Sequence, residues 1–335
     1  MFEVGFSVVS LWRRCPKAYE YAEIRRLQAK RRPVPMLEGT ILHEMLEAYY
    51  NALGMTVAHA DAAESDPSEV LKRYAVEFRA LLEEEREHYG EHFIENLGRI
   101  FAGYKRTWAD EDWCVEATEE TIYTPLTKDI TFRGTVDLRV RTDKDDRFWQ
   151  VDHKVKKVIP TPDQRFSNQQ LLLYPWAWNR EHSKAERVDG IIWNYLRRKA
   201  PTVPEVLKKG GLTQRADLDT DVFTYAKAIS DNDLNPSDYA DYLGALEKRS
   251  QNRFFERVPL PLPDEAHIDA VLEDFKHTAI MMKNLRVYPR NLTEMCPSNC
   301  QFFDLCRAEL TGVDTKFVLK SKYEEREDDR YSEED

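Results

Sequence analysis

No window of this sequence approaches the ~18 unbroken apolar residues that a membrane-spanning helix requires, so no membrane association is expected. Glycine occurs only 12 times and proline 16 times in 335 residues, which excludes collagen-like and low-complexity chains. Five cysteines are too few for a disulfide framework in a chain this long. The opening MFEVGFSVVSLWRRCPK places a short apolar patch ahead of the charge, the reverse of a secretory leader, and a cytoplasmic protein is expected. Surplus basic charge is also lacking: 49 Lys and Arg stand against 60 Asp and Glu, a net charge of −11. What is present, 42% hydrophobic and 33% charged residues, suits a folded chain of two domains or one elaborated domain.

The charge is unevenly spread, and its distribution matters more than its sum. Lys320 to Asp335 carries four basic and eight acidic residues, a local −4, whereas Arg13 to Arg32 carries eight basic and two acidic, a local +6. Basic knots recur at Lys154/Lys156/Lys157, Arg197/Arg198/Lys199 and Lys208/Lys209. Such knots are either solvated surface or the walls of a basic groove on an acidic body.

Residues 37–52 place Leu42, Met45, Leu46 and Tyr49 at helical spacing. Thr56 to Pro67 reads as a surface loop, and Ser68 to about Trp108 as a helical region broken near Gly90. The period then changes: Cys114–Tyr123, Thr131–Arg141 and Arg147–Val155 are rich in β-branched and aromatic residues, with TDKDD (142–146) as a hairpin connection. A helix is expected over about Asp163–His182 and a strand over Val188–Arg198; the order β-β-β-α-β indicates a mixed sheet flanked by helices, an α/β class. Residues 200–252 are polar and helical in tendency, Arg257–Pro263 is extended but broken by three prolines, and Asp264 is positioned to cap a helix reaching Leu285. The resulting division is 1–36, an N-terminal segment; 37–112, a helical region; 113–199, the core; 200–263, a helical insertion and connector; 264–312, a C-terminal helix and cysteine segment; and 313–335, a disordered acidic tail.

The central chemical signal is GTVD (Gly134–Asp137) on one strand and VDHK (Val151–Lys154) on the next. Strand alternation points Asp152 and Lys154 to one face and Val151, His153 and Val155 to the other, and a hairpin brings Asp137 close to Asp152. Two adjacent carboxylates repel unless a cation lies between them, and oxygen donors suit Mg²⁺ or Mn²⁺. A lysine two residues on can orient water or stabilise charge on a phosphate. Together these groups suit metal-assisted phosphodiester hydrolysis. His43 lies upstream on a helix, while Gln170 and Tyr174, four apart, share a face of the helix after the DxK strand and could brace the lysine or bind phosphate.

Cys296, Cys300 and Cys306 form a C-x3-C-x5-C run, for which Cys15 is the leading fourth partner. Four thiolates suit tetrahedral Zn²⁺ or an iron–sulfur cluster; the bland alternative is a set of separate reduced thiols. Cys114 has no partner in this scheme and reads as a buried free thiol.

The ordered set of Cys15, GxxxH (Gly39–His43), GxxD, DxK, QxxxY (Gln170–Tyr174) and three cysteines resembles the PD-(D/E)XK nuclease superfamily in its RecB-like branch. That resemblance implies a restriction-endonuclease-like mixed sheet with helical insertions. It also implies a divalent metal held by His43, Asp137, Asp152 and the main-chain carbonyl of His153, with Lys154 as the catalytic lysine and Gln170 and Tyr174 completing the last motif. One cysteine before the core and three after it is similar to the iron staple of Cas4-like, AddB-like and exonuclease V-like nucleases, which implies a [4Fe–4S] cluster at Cys15, Cys296, Cys300 and Cys306, with Zn²⁺ as the alternative. The implied activity is a DNA exonuclease preferring single strands or ends. Its work would be recombination, repair or CRISPR-related end processing, beside a helicase, recombinase or CRISPR integration protein; a homo-oligomer is compatible with the sequence. Arg13, Arg14, Lys17, Arg25 and Arg26 are the candidate DNA contacts, with Tyr19, Tyr21 and Trp176 as aromatics able either to stack on bases or to pack the core. The alternative is a catalytically silent nuclease fold that grips DNA or a partner.

Overall fold

The computed structural model describes residues 1–54, 66–250 and 254–326. The expected loop at Thr56–Pro67 falls almost entirely outside them, as does the end of the acidic tail.

The chain opens with β1 (Phe2–Val4), α1 (Phe6–Arg14) and α2 (Pro16–Tyr19), then a π turn and β2 (Leu27–Ala29). Helix α3 (Val34–Gly54) buries Ile41, Leu42, Met45, Leu46 and Tyr50 along one stripe. The helical region after it divides into α4 (Pro67–Ala80), α5 (Glu83–Tyr89) and α6 (Phe93–Thr107). Asp66 caps α4 by accepting from the Ser68 N–H, with Pro67 at the first helical position. Gly90 at φ 93° stops α5. A second break at Leu81–Leu82 was not foreseen.

Strands β3 (Trp113–Thr127), β4 (Ile130–Thr142) and β5 (Phe148–Lys156) follow as an antiparallel run. The expected helix over Asp163–His182 is two helices, α7 (Pro162–Phe166) and α8 (Gln170–Glu181). A Thr161/Gln164 capping box starts the first, and Asn168 Oδ1 accepts the Gln170 N–H where the second begins. Strand β6 (Gly190–Arg197) is buried along all but its last residue, as a central strand flanked on both faces must be. It pairs in parallel with β5.

Helices α9 (Val222–Asp231) and α10 (Ala240–Ser250) form a small unit around Tyr225, Ile229, Tyr239 and Leu246. Strand β7 (Phe255–Pro261) then lies antiparallel on β6. Its prolines 259 and 261 are tolerated because this is the sheet's edge. Asp264 caps α11 (Glu265–Asn284) through the His267 N–H, as its position in the sequence suggested.

The sheet is six-stranded and mixed. β4 carries β3 on one side, while on the other β1 pairs in parallel with its first half and β5 antiparallel with its second. Helices α3 and α6 cover one face with Leu138, Val140 and Val151. Helices α1, α8 and α11 pack the other around Phe132, Val136, Leu173 and Phe275.

The last segment corrects an expectation. After α12 (Cys296–Asn299) and α13 (Phe303–Thr311), the described part of the expected tail, residues 313–326, is ordered: α14 (Thr315–Lys322) leads to β8 (Tyr323–Glu325), which pairs antiparallel with β2. Charge density misled the reading. Tyr323 is buried against Tyr21, Phe302 and Leu305, and the Arg26 guanidinium donates to the Arg326 carbonyl. Among the described residues, no helix is long and apolar enough to cross a membrane.

Candidate active site

The hairpin register pairs Leu138 with Val151 and goes no further toward the start of β4. Just beyond that last pair, the Asp137 carboxylate takes the place of a ladder acceptor: the His153 N–H donates to Asp137 Oδ2 at 2.7 Å. His43, one turn from Gly39 on α3, brings Nδ1 to 3.5 Å from the same oxygen. Burial, and then the charge of Asp152, push the Asp137 carboxyl above the usual carboxylate range against the opposing pull of His43 and Lys154.

Asp152 is 5% exposed and held on both sides. Lys154 Nζ lies 2.5 Å from its Oδ2. Gln170 Nε2, at the start of α8, donates to its Oδ1 at 2.6 Å, while Gln170 Oε1 accepts from Lys154 at 2.9 Å. One amide thus fixes carboxylate and ammonium together, because both its donor and its acceptor are engaged. Tyr174, one turn on, hydrogen-bonds Gln170 and is raised in pKa mainly by burial and then by Asp152 and Asp137.

The glycine of GTVD has a steric reason. A Cβ on Gly134 would lie 2.7 Å from Tyr174 Cε1 and 3.0 Å from Phe132 Cε1, so only glycine lets α8 settle this close to β4. His153 turns its ring to the other face of the sheet, stacked on Tyr50 with centroids 5.8 Å apart; burial drives its pKa well down.

Sequence reasoning missed Glu119. Donor atoms of His43, Glu119 and Asp137 lie within 4.8 Å of one another, among the described residues the one such set able to share an ion. Glu119 is exposed, yet the protein atoms crowded around it, and then the charges of Asp137, Glu47 and Asp152, push its carboxyl up to about 8. Carboxylates forced together in this way, with one imidazole, suit a divalent cation such as Mg²⁺ or Mn²⁺.

Separately from these residues, Cys15, Cys296, Cys300 and Cys306 line one cavity of about 270 Å³. Main-chain N–H groups point at two of the sulfurs, Asn291 at Cys15 (3.5 Å) and Thr293 at Cys296 (3.3 Å). The Thr293 N–H and hydroxyl, aided by Arg14, lower the Cys296 pKa, while burial raises that of Cys300. Cys114 is half-buried, not buried, and unpaired in any disulfide.

The basic run from Arg13 to Arg26 is engaged with the molecule itself. Arg13 donates to Gln169, Thr278 and the Asp274 carbonyl. Lys17 and Arg25 pair with Glu309 at 3.5 and 3.1 Å, and Arg26 reaches Arg326 and Glu325. Of the five candidate DNA contacts, Arg14 alone borders the cysteine cavity with an exposed side chain. Tyr19 and Tyr21 are buried core residues and Trp176 is half-buried against the second core.

A comparison with protein families matches residues 3–307 to the model described as PD-(D/E)XK nuclease superfamily. A comparison with curated proteins gives no match.

Proposed function

The chain belongs to the PD-(D/E)XK nuclease superfamily, which implies a metal-dependent nuclease acting on DNA, and on that premise we propose a RecB-like exonuclease that trims single strands or DNA ends. The observation that carries this reading is the convergence of His43, Asp137, Asp152, Lys154 and Gln170 from α3, β4, β5 and α8. His43, Asp137 and Glu119, whose donor atoms lie within 4.8 Å of one another, would hold the Mg²⁺ or Mn²⁺, with Asp152, which lies outside that set, as the further ligand the family resemblance implies. When bound, that ion supplies Lewis-acid polarisation of the phosphate and a water of lowered pKa.

The protein's own groups do the rest. Lys154 presents an ammonium fixed by Gln170 and Asp152, placed to orient the attacking water and to balance charge on the scissile phosphate. Gln170 keeps that lysine from collapsing wholly onto Asp152, since its carbonyl oxygen offers a second acceptor. Tyr174 and Gly134 set how closely α8 approaches the strands.

The cysteine cavity supports the cluster half of the reading. Tetrahedral zinc would draw its sulfurs to about 3.8 Å from one another, from a Zn–S bond of about 2.3 Å. These four cysteines line a wider space and are not among the donor sets close enough for one ion. N–H groups aimed at sulfur are the hydrogen bonds that stabilise cluster thiolates. A [4Fe–4S] group accounts for both features better than zinc. Recombination, repair or Cas4-like end processing is the setting that this combination favours.

Time courses on end-labelled single- and double-stranded DNA with Mn²⁺ test the activity and its direction. Lys154→Ala is expected to slow cleavage by about 10²- to 10³-fold, and Asp152→Asn to abolish it. Parent-rate cleavage by either purified variant sinks the assignment. A parent that binds DNA but cuts none would instead favour a silent binding module.

A further inference from the structure

Behind β5, on the face away from Asp152, lies a buried polar cluster with no part in the chemistry above. Arg257, on edge strand β7, is clasped between the rings of Trp108 and Trp113, 3.9 and 3.7 Å from its guanidinium carbon. Its Nη2 donates to Glu111 Oε2 at 2.5 Å, to the Tyr50 hydroxyl at 3.0 Å and to the Tyr104 hydroxyl at 3.1 Å. The two hydroxyls are 2.6 Å apart. Asn194, on β6 opposite His153, then uses its amide nitrogen twice, toward the Tyr104 hydroxyl at 2.7 Å and toward His153 Nδ1 at 2.8 Å. The chain of contacts ends at a residue whose main-chain N–H holds Asp137.

Stability does not account for this choice of residues. Arg257 and Glu111 are a buried ion pair, with side chains 10% and 8% exposed, and Asn194 Oδ1 is buried without a hydrogen-bond partner. Replacing a buried ion pair by a packed apolar set of similar volume is often neutral or stabilising. What a directional network supplies, and an apolar one does not, is a fixed ring orientation at His153.

We propose that Asn194, backed by Tyr104 and the Arg257–Glu111 pair, is a positioning residue for the metal centre, locking the His153 ring so that the main chain of that residue holds Asp137 in its ligating orientation. The inference rests on the reading of Asp137 as a metal ligand. Asn194 touches neither Asp137 nor Lys154 in any contact described above; it acts through His153.

The test is calorimetric titration of Mn²⁺ alone into the full-length protein, without DNA, together with hydrogen exchange at the His153 amide in metal-free buffer. Asn194→Leu, close in volume, is expected to retain its melting temperature, to bind Mn²⁺ about 10-fold more weakly or worse, and to exchange the His153 amide faster. Tyr104→Phe, which keeps the Asn194–His153 contact, is expected to weaken Mn²⁺ binding in the same direction by a smaller factor. Should Asn194→Leu fail to fold, Tyr104→Phe carries the test, and unchanged affinity in it overturns the proposal. Parent-like affinity and amide exchange in a folded Asn194→Leu overturn it while leaving the metal reading intact. A parent chain that takes up no Mn²⁺ removes the metal reading, and this inference falls with it.

Discussion

At Glu119 the backbone takes a φ of 47°, a left-handed conformation that costs a non-glycine residue about 1–3 kcal/mol. Its neighbours Thr118 and Glu120 pair with Leu138 and Val136, so Glu119 faces the position of Asp137 across the strands. The consequence is a pH-dependent instability in metal-free protein. A carboxyl whose folded-state pKa exceeds its ordinary value loses stabilising protonation as pH rises through that window. Glu119→Gln removes this loss. The variant's melting temperature, relative to the parent's, is therefore expected to climb between about pH 4.5 and about pH 8 without metal, and the variant is expected to need more Mn²⁺ for the same occupancy. Scanning calorimetry across that range, with and without Mn²⁺, checks both; a pH-independent difference would show that Glu119 does not sense its neighbours. Asp137, Asp152 and Lys154 were legible because strand alternation and one hairpin sufficed to group them. Glu119 was not, since it is one of three glutamates (116, 119 and 120) in the same strand, and only the β3–β4 pairing selects it. The same holds for Arg257 and Asn194, whose significance appears only when four distant segments close on His153.

Among the elements, the contact of α8 with β4 is the tightest constraint on the site. Gly134→Ala would drive a methyl into Tyr174 and Phe132. Overpacking of this kind costs about 1–3 kcal/mol, and the strain is relieved by lifting α8, which carries Gln170. Urea denaturation is expected to show that loss. DNA cleavage should fall further than stability alone explains, since displacement of a positioning group by about 1 Å can cost about 10²-fold. A variant destabilised but fully active would mean that Gln170 tolerates the shift. Periodicity located α3, β3 to β6, α8 and α11 well, and the Asp264 cap was readable from residue type. It failed where an element is too short to show a period, as at three-residue β1 and β8, which exist only through their partners β4 and β2. It also failed at Ser167–Gln169, where the Asn168 side chain restarts a helix that looks continuous in apolar pattern.

On the scale of the whole molecule, Leu11 to Ala29 and the last described residues pack into one cluster. Glu309 gathers Tyr21 (2.7 Å), Arg25 (3.1 Å) and Arg290 (2.5 Å), β2 pairs with β8, and four cysteines from both ends surround one cavity. Bridging Cys15 to Cys296 closes a loop of roughly 280 residues, which by the chain-entropy relation for a cross-link is worth up to about 5 kcal/mol. Cys15→Ser is expected to lose the broad visible absorbance of an iron–sulfur protein and much of this stabilisation, read by absorbance and thermal melting of anaerobically purified protein. Full cluster content in that variant would identify a different fourth ligand. Of the basic run near the N-terminus, Lys17, Arg25 and Arg26 pair with internal acids, while Arg13 is held by Gln169, Thr278 and the Asp274 carbonyl. The pairing of residues 27–29 with residues 323–325 also has an order in time. A polypeptide emerges from the ribosome N-terminus first, so β2 must wait, unpartnered, until almost three hundred further residues have been translated. A nascent chain would hold its hydrolytic groups on an unfinished scaffold through that interval, and the closing clasp would delay maturation until residues 323–325 have emerged.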